Sequence, residues 1–137
     1  MTHRSHSARQ TESIAAKLAE TLRAGECIAL DGPLGAGKTQ FVRGLAVGLG
    51  APARAVSSPT FVLLNIYRGG RIPLFHLDAY RIAGPEDFEA IGFSELLEQN
   101  GVVVVEWATR VKDILPPKRI NVTIEVTGKT DRQIVIG

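Results

Sequence analysis

The chain has 137 residues, 45% hydrophobic and 22% charged, which suits one globular domain and excludes a disordered chain. Its 14 glycines follow no three-residue period and its single cysteine has no internal partner, so collagen-like and disulfide-scaffold chains are excluded too. The net charge of +2, without a block of like charges, does not announce nucleic-acid binding, and apolar runs such as Val102 to Val105 fall far short of a membrane span.

The opening MTHRSHSARQ is followed by no apolar core of a signal sequence, so secretion is not expected and residues 1 to 7 read as a flexible lead-in. Residues 8 to 23 carry Ile14, Leu18 and Leu22 at four-residue spacing behind the N-cap candidate Ser7, which predicts an amphipathic helix. Cys27 to Leu30 is a short apolar strand, and Cys27 reads as a small core residue in a reduced, cytoplasmic setting. A glycine-rich stretch follows, and a second helix runs from Lys38 to a stop at Gly50. Phe61 to Tyr67 and Ile72 to Leu77 read as a hairpin across Arg68-Gly69-Gly70-Arg71. A helix is expected over Pro85 to Leu97 with a break near Gly92, then a buried strand over Val102 to Val105 and a short helical turn closed by Pro116-Pro117. Ile120 to Val126 alternates and pairs with Arg132 to Ile136.

One motif dominates. Gly32-Pro33-Leu34-Gly35-Ala36-Gly37-Lys38-Thr39 fits G-x-x-x-x-G-K-[ST], the phosphate-binding P-loop, between an apolar strand and an amphipathic helix. Gly32, Gly35 and Gly37 let successive N–H groups turn towards phosphate oxygens, and the helix adds its positive end. Lys38 would neutralise the β- and γ-phosphates, and the Thr39 hydroxyl suits Mg²⁺. Leu34, Ala36 and Gln40 complete the run expected to touch nucleotide. The fold expected is therefore a single-domain α/β P-loop NTPase over residues 1–137, with a mainly parallel sheet, flanking helices and antiparallel hairpin additions.

Nucleotide-bound Mg²⁺ also takes carboxylates, and two follow strands: Asp78 and Glu106. Glu106 has the place of a Walker B acid. Ser57-Ser58-Pro59-Thr60 lies where P-loop proteins often keep a γ-phosphate switch, although its residue types alone favour a turn. Trp107, the only tryptophan, reads either as core or as a stacking platform, and His76 as a satisfied structural histidine.

In order along the chain, GPLGAGKT, Phe41-Val42-Arg43-Gly44-Leu45, SSPTF, FHLDAYR and VEW make the sequence resemble the TsaE (YjeE) family of bacterial ATPases of tRNA threonylcarbamoyladenosine synthesis. The resemblance implies that Lys38 and Thr39 hold ATP and Mg²⁺, that Glu106 is the second metal-side ligand, and that Thr60 and Asp78 are catalytic or switch residues. It implies a functional Trp107, and nucleotide contacts for Thr11 and Arg132. It also implies homologues of TsaD and TsaB as partners, with tRNA reached through their complex. Pro33 and Ala79 depart from the family, which often has Asp and Leu there, and Pro33 removes one N–H from the loop. Two other readings are a small-molecule kinase, for which no acceptor lid is found, and a nucleotide-sensing module without turnover.

Overall fold

Alternate residues of the central strands are buried against different helices, and this alternation builds the architecture. The computed structural model describes residues 1–52, 56, 64–80 and 82–137. Strands β1 (Thr2–Ser5), β2 (Cys27–Asp31), β3 (Leu64–Tyr67), β4 (Leu74–Asp78), β5 (Val102–Glu106), β6 (Ile120–Val126) and β7 (Arg132–Ile136) form one sheet. Its order is β1-β7-β6-β2-β5-β4-β3. The inner strands β6, β2, β5 and β4 run parallel, while β7 and β1 on one side and β3 on the other are antiparallel additions.

Helices α1 (Ala8–Glu20) and α2 (Lys38–Gly48) cover one face. Ile28, Leu30, Leu74, Val102, Val104, Val122 and Ile124 point to them and share a core with Ala15, Ala19, Phe41, Val42 and Leu45. The other face carries Cys27, Ala29, Phe75, Leu77, Val103 and Val105. These pack on Phe88 of α3 (Glu86–Ala90), Phe93 and Leu96 of α4 (Phe93–Glu98), and Val111 of a 3-10 segment (Ala108–Ile114). A strand buried on both sides cannot alternate apolar with polar, which is why VVVV reads as a continuous run. Burial pushes the Cys27 thiol up to about 12, so it is an inert core group at neutral pH.

The expected elements are present with shifted ends. The first helix stops at Glu20 rather than residue 23, and the Ser7 side chain accepts from the Gln10 N–H as its cap. The helix expected over 85 to 97 is two short helices separated at Gly92, each carrying a buried phenylalanine. The lead-in is the clearest correction. Thr2–Ser5, expected to be flexible, pairs with Arg132–Val135 as edge strand β1. Its sequence lacks apolar alternation because its order comes from backbone pairing and from the Ser5 hydroxyl, which lies 2.7 Å from that of buried Thr11.

Helices α1 and α2 touch unusually closely. A Cβ on Gly44 would overlap the carbonyl oxygen of Glu12, and one on Gly48 would lie 2.5 Å from that of Ala16. The glycines therefore let the helix that follows the glycine-rich loop lie directly against the one carrying Thr11.

Candidate nucleotide and metal site

The parallel strands all end on one edge, and the loop from β2 to α2 lies there, at the side where open α/β sheets gather ligands. Within it Gly35 has φ +78° and Gly37 φ +106°, backbone conformations that side chains rarely adopt. Gly37 is the N-cap of α2 and offers no side chain to the helix end. The first N–H groups of α2, from Lys38, Thr39 and Gln40, have no intrahelical acceptor in front of them and carry the positive end of the helix dipole.

The loop carbonyls face two cations. Lys38 Nζ donates to Gly32 O at 2.6 Å and Pro33 O at 2.9 Å, and sits 4.2 Å from the centroid of the Trp107 ring. Arg132, from the start of β7, donates from Nε to Ala36 O at 2.9 Å and from Nη2 to Gly35 O at 3.1 Å. These bonds occupy the carbonyls of Gly32, Pro33, Gly35 and Ala36. Pro33 lacks an N–H, yet its carbonyl accepts from both Lys38 and the Ala36 N–H, so it shapes the loop without donating to a ligand. Leu34 is exposed.

A cleft of about 340 Å³ opens beside this loop. Thr11, Gly35, Ala36, Gly37, Gln40 and Arg132, all candidates from the sequence, line it together. So do His6, Ser7, Ala8, Lys129 and Thr130, which sequence reading missed. The junction of β1 with α1 and the turn of the β6–β7 hairpin supply them, and His6 Nδ1 lies 2.8 Å from Asp131 Oδ1. The only sequence signal for this wall was Arg132.

The acidic candidates do not line this cleft but lie near Lys38. Asp78 and Glu106 are register partners at the carboxyl ends of β4 and β5. Two-residue periodicity puts both on the face of Leu74, Val102 and Val104, the α1/α2 side. Burial lowers the Lys38 pKa, and the negative charges of Glu106, Asp78 and Asp31 oppose that fall. Asp78 is held above the ordinary carboxylate range, chiefly by burial; the Tyr80 N–H, donated to Asp78 Oδ1 at 2.8 Å, pulls the other way. Glu106 is buried, with Oε2 2.5 Å from His76 Nε2. His76 is thus the satisfied core histidine the sequence suggested, but its partner is a candidate metal-side acid, which the sequence did not show.

Trp107 is half-buried and packs at a tilt of 38° against Tyr80, with ring centroids 4.9 Å apart. It is the one non-glycine with positive φ (56°) among the described residues, and this left-handed turn begins the 3-10 segment. Thr60 lies outside the described residues.

All side chains offered to a cation here are oxygen donors: the Thr39 hydroxyl and the Asp78 and Glu106 carboxylates. Among the described residues no group of three or more His, Cys, Asp or Glu could hold a metal by itself. Mg²⁺ fits that chemistry, since it keeps waters and substrate phosphates and needs only one or two carboxylates.

Comparison with known proteins gives the family and the fold. Residues 5–134 match the family model described as threonylcarbamoyl adenosine biosynthesis protein TsaE. The chain is 41% identical over 132 residues to the tRNA threonylcarbamoyladenosine biosynthesis protein TsaE of Treponema pallidum, covering 96% of both chains. It is 39% identical to the protein of that name in Bacillus subtilis, covering 91% of this chain and 77% of the relative. The crystal structure of Bacillus subtilis YdiB superposes with a TM-score of 0.82 at 32% identity, covering 99% of this chain and 83% of that one. With the family model spanning nearly the whole chain, the protein belongs to the TsaE family of tRNA threonylcarbamoyladenosine biosynthesis.

Proposed function

We propose that this protein binds ATP with Mg²⁺ at the loop Gly32–Thr39 and hydrolyses it slowly, and that homologues of TsaD and TsaB raise that rate during tRNA modification. One observation carries the reading. Lys38, Asp78 and Glu106 converge beside the amino end of α2, putting a cation, hydrogen-bond donors and two carboxylates at one sheet edge.

In this reading the phosphates displace the loop carbonyls as partners of Lys38, and the N–H groups of Gly35, Gly37, Lys38, Thr39 and Gln40 hold the phosphate oxygens. Thr39 and Glu106 would hold Mg²⁺, which supplies charge neutralisation at the β- and γ-phosphates. Asp78 orients the attacking water. Its raised pKa suits a group that accepts a proton when placed beside a developing hydroxide. The nucleoside lies in the cleft by Thr11 and Arg132. Phosphoryl transfer depends mainly on positioning and charge, and an added arginine or ordered loop supplies roughly 10³- to 10⁵-fold. Among the described residues, Arg132 donates to loop carbonyls and Arg43 lies 3.4 Å from Glu12, and in this reading the added arginine or ordered loop comes with the partners.

We place this activity in the cytoplasm, with tRNA reached through the TsaD–TsaB complex. No described helix is long and apolar enough to cross a membrane. The test measures ATP consumption by the protein alone, with candidate small-molecule acceptors, and with the two partners. Slow hydrolysis alone and faster hydrolysis with the partners is the expected result. A phosphorylated acceptor would replace this reading with a kinase, and ATP binding without turnover in any mixture would replace it with a sensor.

A further inference from the structure

Glu106 is held by more than its strand. On the α1/α2 face of the sheet, His76 lies one strand away and one side-chain step before Asp78, the register partner of Glu106. Its Nε2 is 2.5 Å from Glu106 Oε2 and its Nδ1 is 2.9 Å from the Tyr67 hydroxyl. All three residues are buried, His76 completely. A carboxylate serving a cation only accepts hydrogen bonds, so the metal-side reading of Glu106 requires the proton of this contact on His76 Nε2. Tyr67 meets the opposite nitrogen and fixes the ring in its plane of action.

We propose that His76 is a positioning residue for the metal-side acid: it donates from Nε2 to Glu106 Oε2 and leaves Oε1 as the oxygen that serves the cation. Packing alone does not require this arrangement. The other side chains that β4 and β5 send to this face are Leu74, Val102 and Val104 in the core and Asp78 at the edge, so an apolar residue at 76 would suit these neighbours while leaving buried Glu106 Oε2 without its imidazole partner. A histidine there directs one oxygen of a carboxylate that could otherwise rotate. Ligands steered in this way commonly lose 10- to 100-fold in metal affinity or activity when the supporting group is removed, roughly the effect expected here.

The inference rests on the reading that Glu106 faces Mg²⁺, and the experiment separates the two. ATP binding is titrated with Mg²⁺ for wild type, Glu106→Gln, His76→Leu and His76→Gln, with ATP in excess chelator as the metal-free baseline. Glutamine can place an N–H near the position of Nε2. Expected are a Mg²⁺ dependence weakened about 10-fold or more in His76→Leu, its recovery in His76→Gln, and an unchanged metal-free baseline. In the metal-free protein, imidazole ¹⁵N shifts should show His76 protonated at Nε2. A folded His76→Leu protein with wild-type Mg²⁺ dependence overturns the positioning role while leaving Glu106 in place, provided Glu106→Gln is impaired. Wild-type behaviour in Glu106→Gln overturns the metal assignment and the positioning role together. Equal losses in His76→Leu and His76→Gln, or a ring protonated at Nδ1 alone, also overturn it. Should His76→Leu fail to fold, His76→Asn takes its place, since asparagine reaches only the Nδ1 position; asparagine and glutamine behaving alike then overturns the proposal.

Discussion

Lys38 Nζ rests 4.2 Å from the centroid of the Trp107 ring while it donates to the carbonyls of Gly32 and Pro33. The lysine is therefore engaged three ways by its own protein, and in the proposed function phosphate takes it from these partners. Trp107 holds its place through a left-handed backbone, a conformation that costs a non-glycine residue about 1 kcal/mol or more. Lys38→Ala is expected to stay folded and to bind Mg²⁺–ATP about 100-fold more weakly, the size of one lost charge-assisted contact of roughly 3 kcal/mol. Trp107 is the only tryptophan, so its emission should change as ATP is added to wild type and stay constant for Lys38→Ala at the same concentrations. Undiminished affinity in the variant would remove Lys38 from the phosphate site.

Arg132 reaches two adjacent carbonyls of the loop from a neighbouring hairpin. Its planar fork spans Ala36 O and Gly35 O at once, which a lysine ammonium on a flexible stem does not reproduce. Arg132→Ala and Arg132→Lys are both expected to weaken ATP binding by about 10-fold or more, one hydrogen bond from a charged donor being worth roughly 1.5 to 3 kcal/mol. Calorimetric titration of the two variants checks this. A lysine variant indistinguishable from wild type would mean that charge alone matters at this position.

The α1–α2 contact leaves no room for a methyl group at Gly44, whose added Cβ would strike the Glu12 carbonyl oxygen. Gly44→Ala should lower stability by about 1 to 3 kcal/mol through overpacking, measured by urea unfolding. It should also move Thr11 relative to the loop, so ATP affinity falls even in the fraction that remains folded. A variant as stable as wild type would show that the helices separate freely.

Asp78 yields a pH-dependent expectation. Burial raises its pKa above the ordinary carboxylate value in the native state. Between those two values the native protein binds a proton that the unfolded chain has released, so stability falls as pH rises through that window. Asp78→Asn keeps an oxygen for the Tyr80 N–H and removes the buried charge. Its melting temperature at pH 7 should exceed that of wild type, with the gap closing as pH drops below the ordinary carboxylate range. Turnover should fall, because the amide accepts no proton from water. A variant less stable than wild type at pH 7 would contradict the sign.

Much of this is legible in the amino-acid sequence alone. The run of four valines announced a strand buried on both faces, and GPLGAGKT between a strand and a helix announced the loop, because both signals are local. Asp78 and Glu106 could each be placed at a strand end, and parallel pairing then made them neighbours. Contacts that depend on folding were not legible. His76 meets Glu106 across two strands separated by 30 positions, and Arg132 meets the loop from 96 positions away. Edge strand β1 was missed for the same reason: THRS carries no pattern of its own, and its order comes from β7.

The central claim is that ATP turnover at Lys38 serves tRNA modification. It is tested most directly by counting threonylcarbamoyladenosine formed per TsaD–TsaB complex, on unmodified tRNA, with wild-type protein, with Lys38→Ala, or without either. Repeated rounds of modification with wild type, and no more than a single round with Lys38→Ala or no addition, is the predicted result. Repeated rounds sustained by Lys38→Ala would contradict the account.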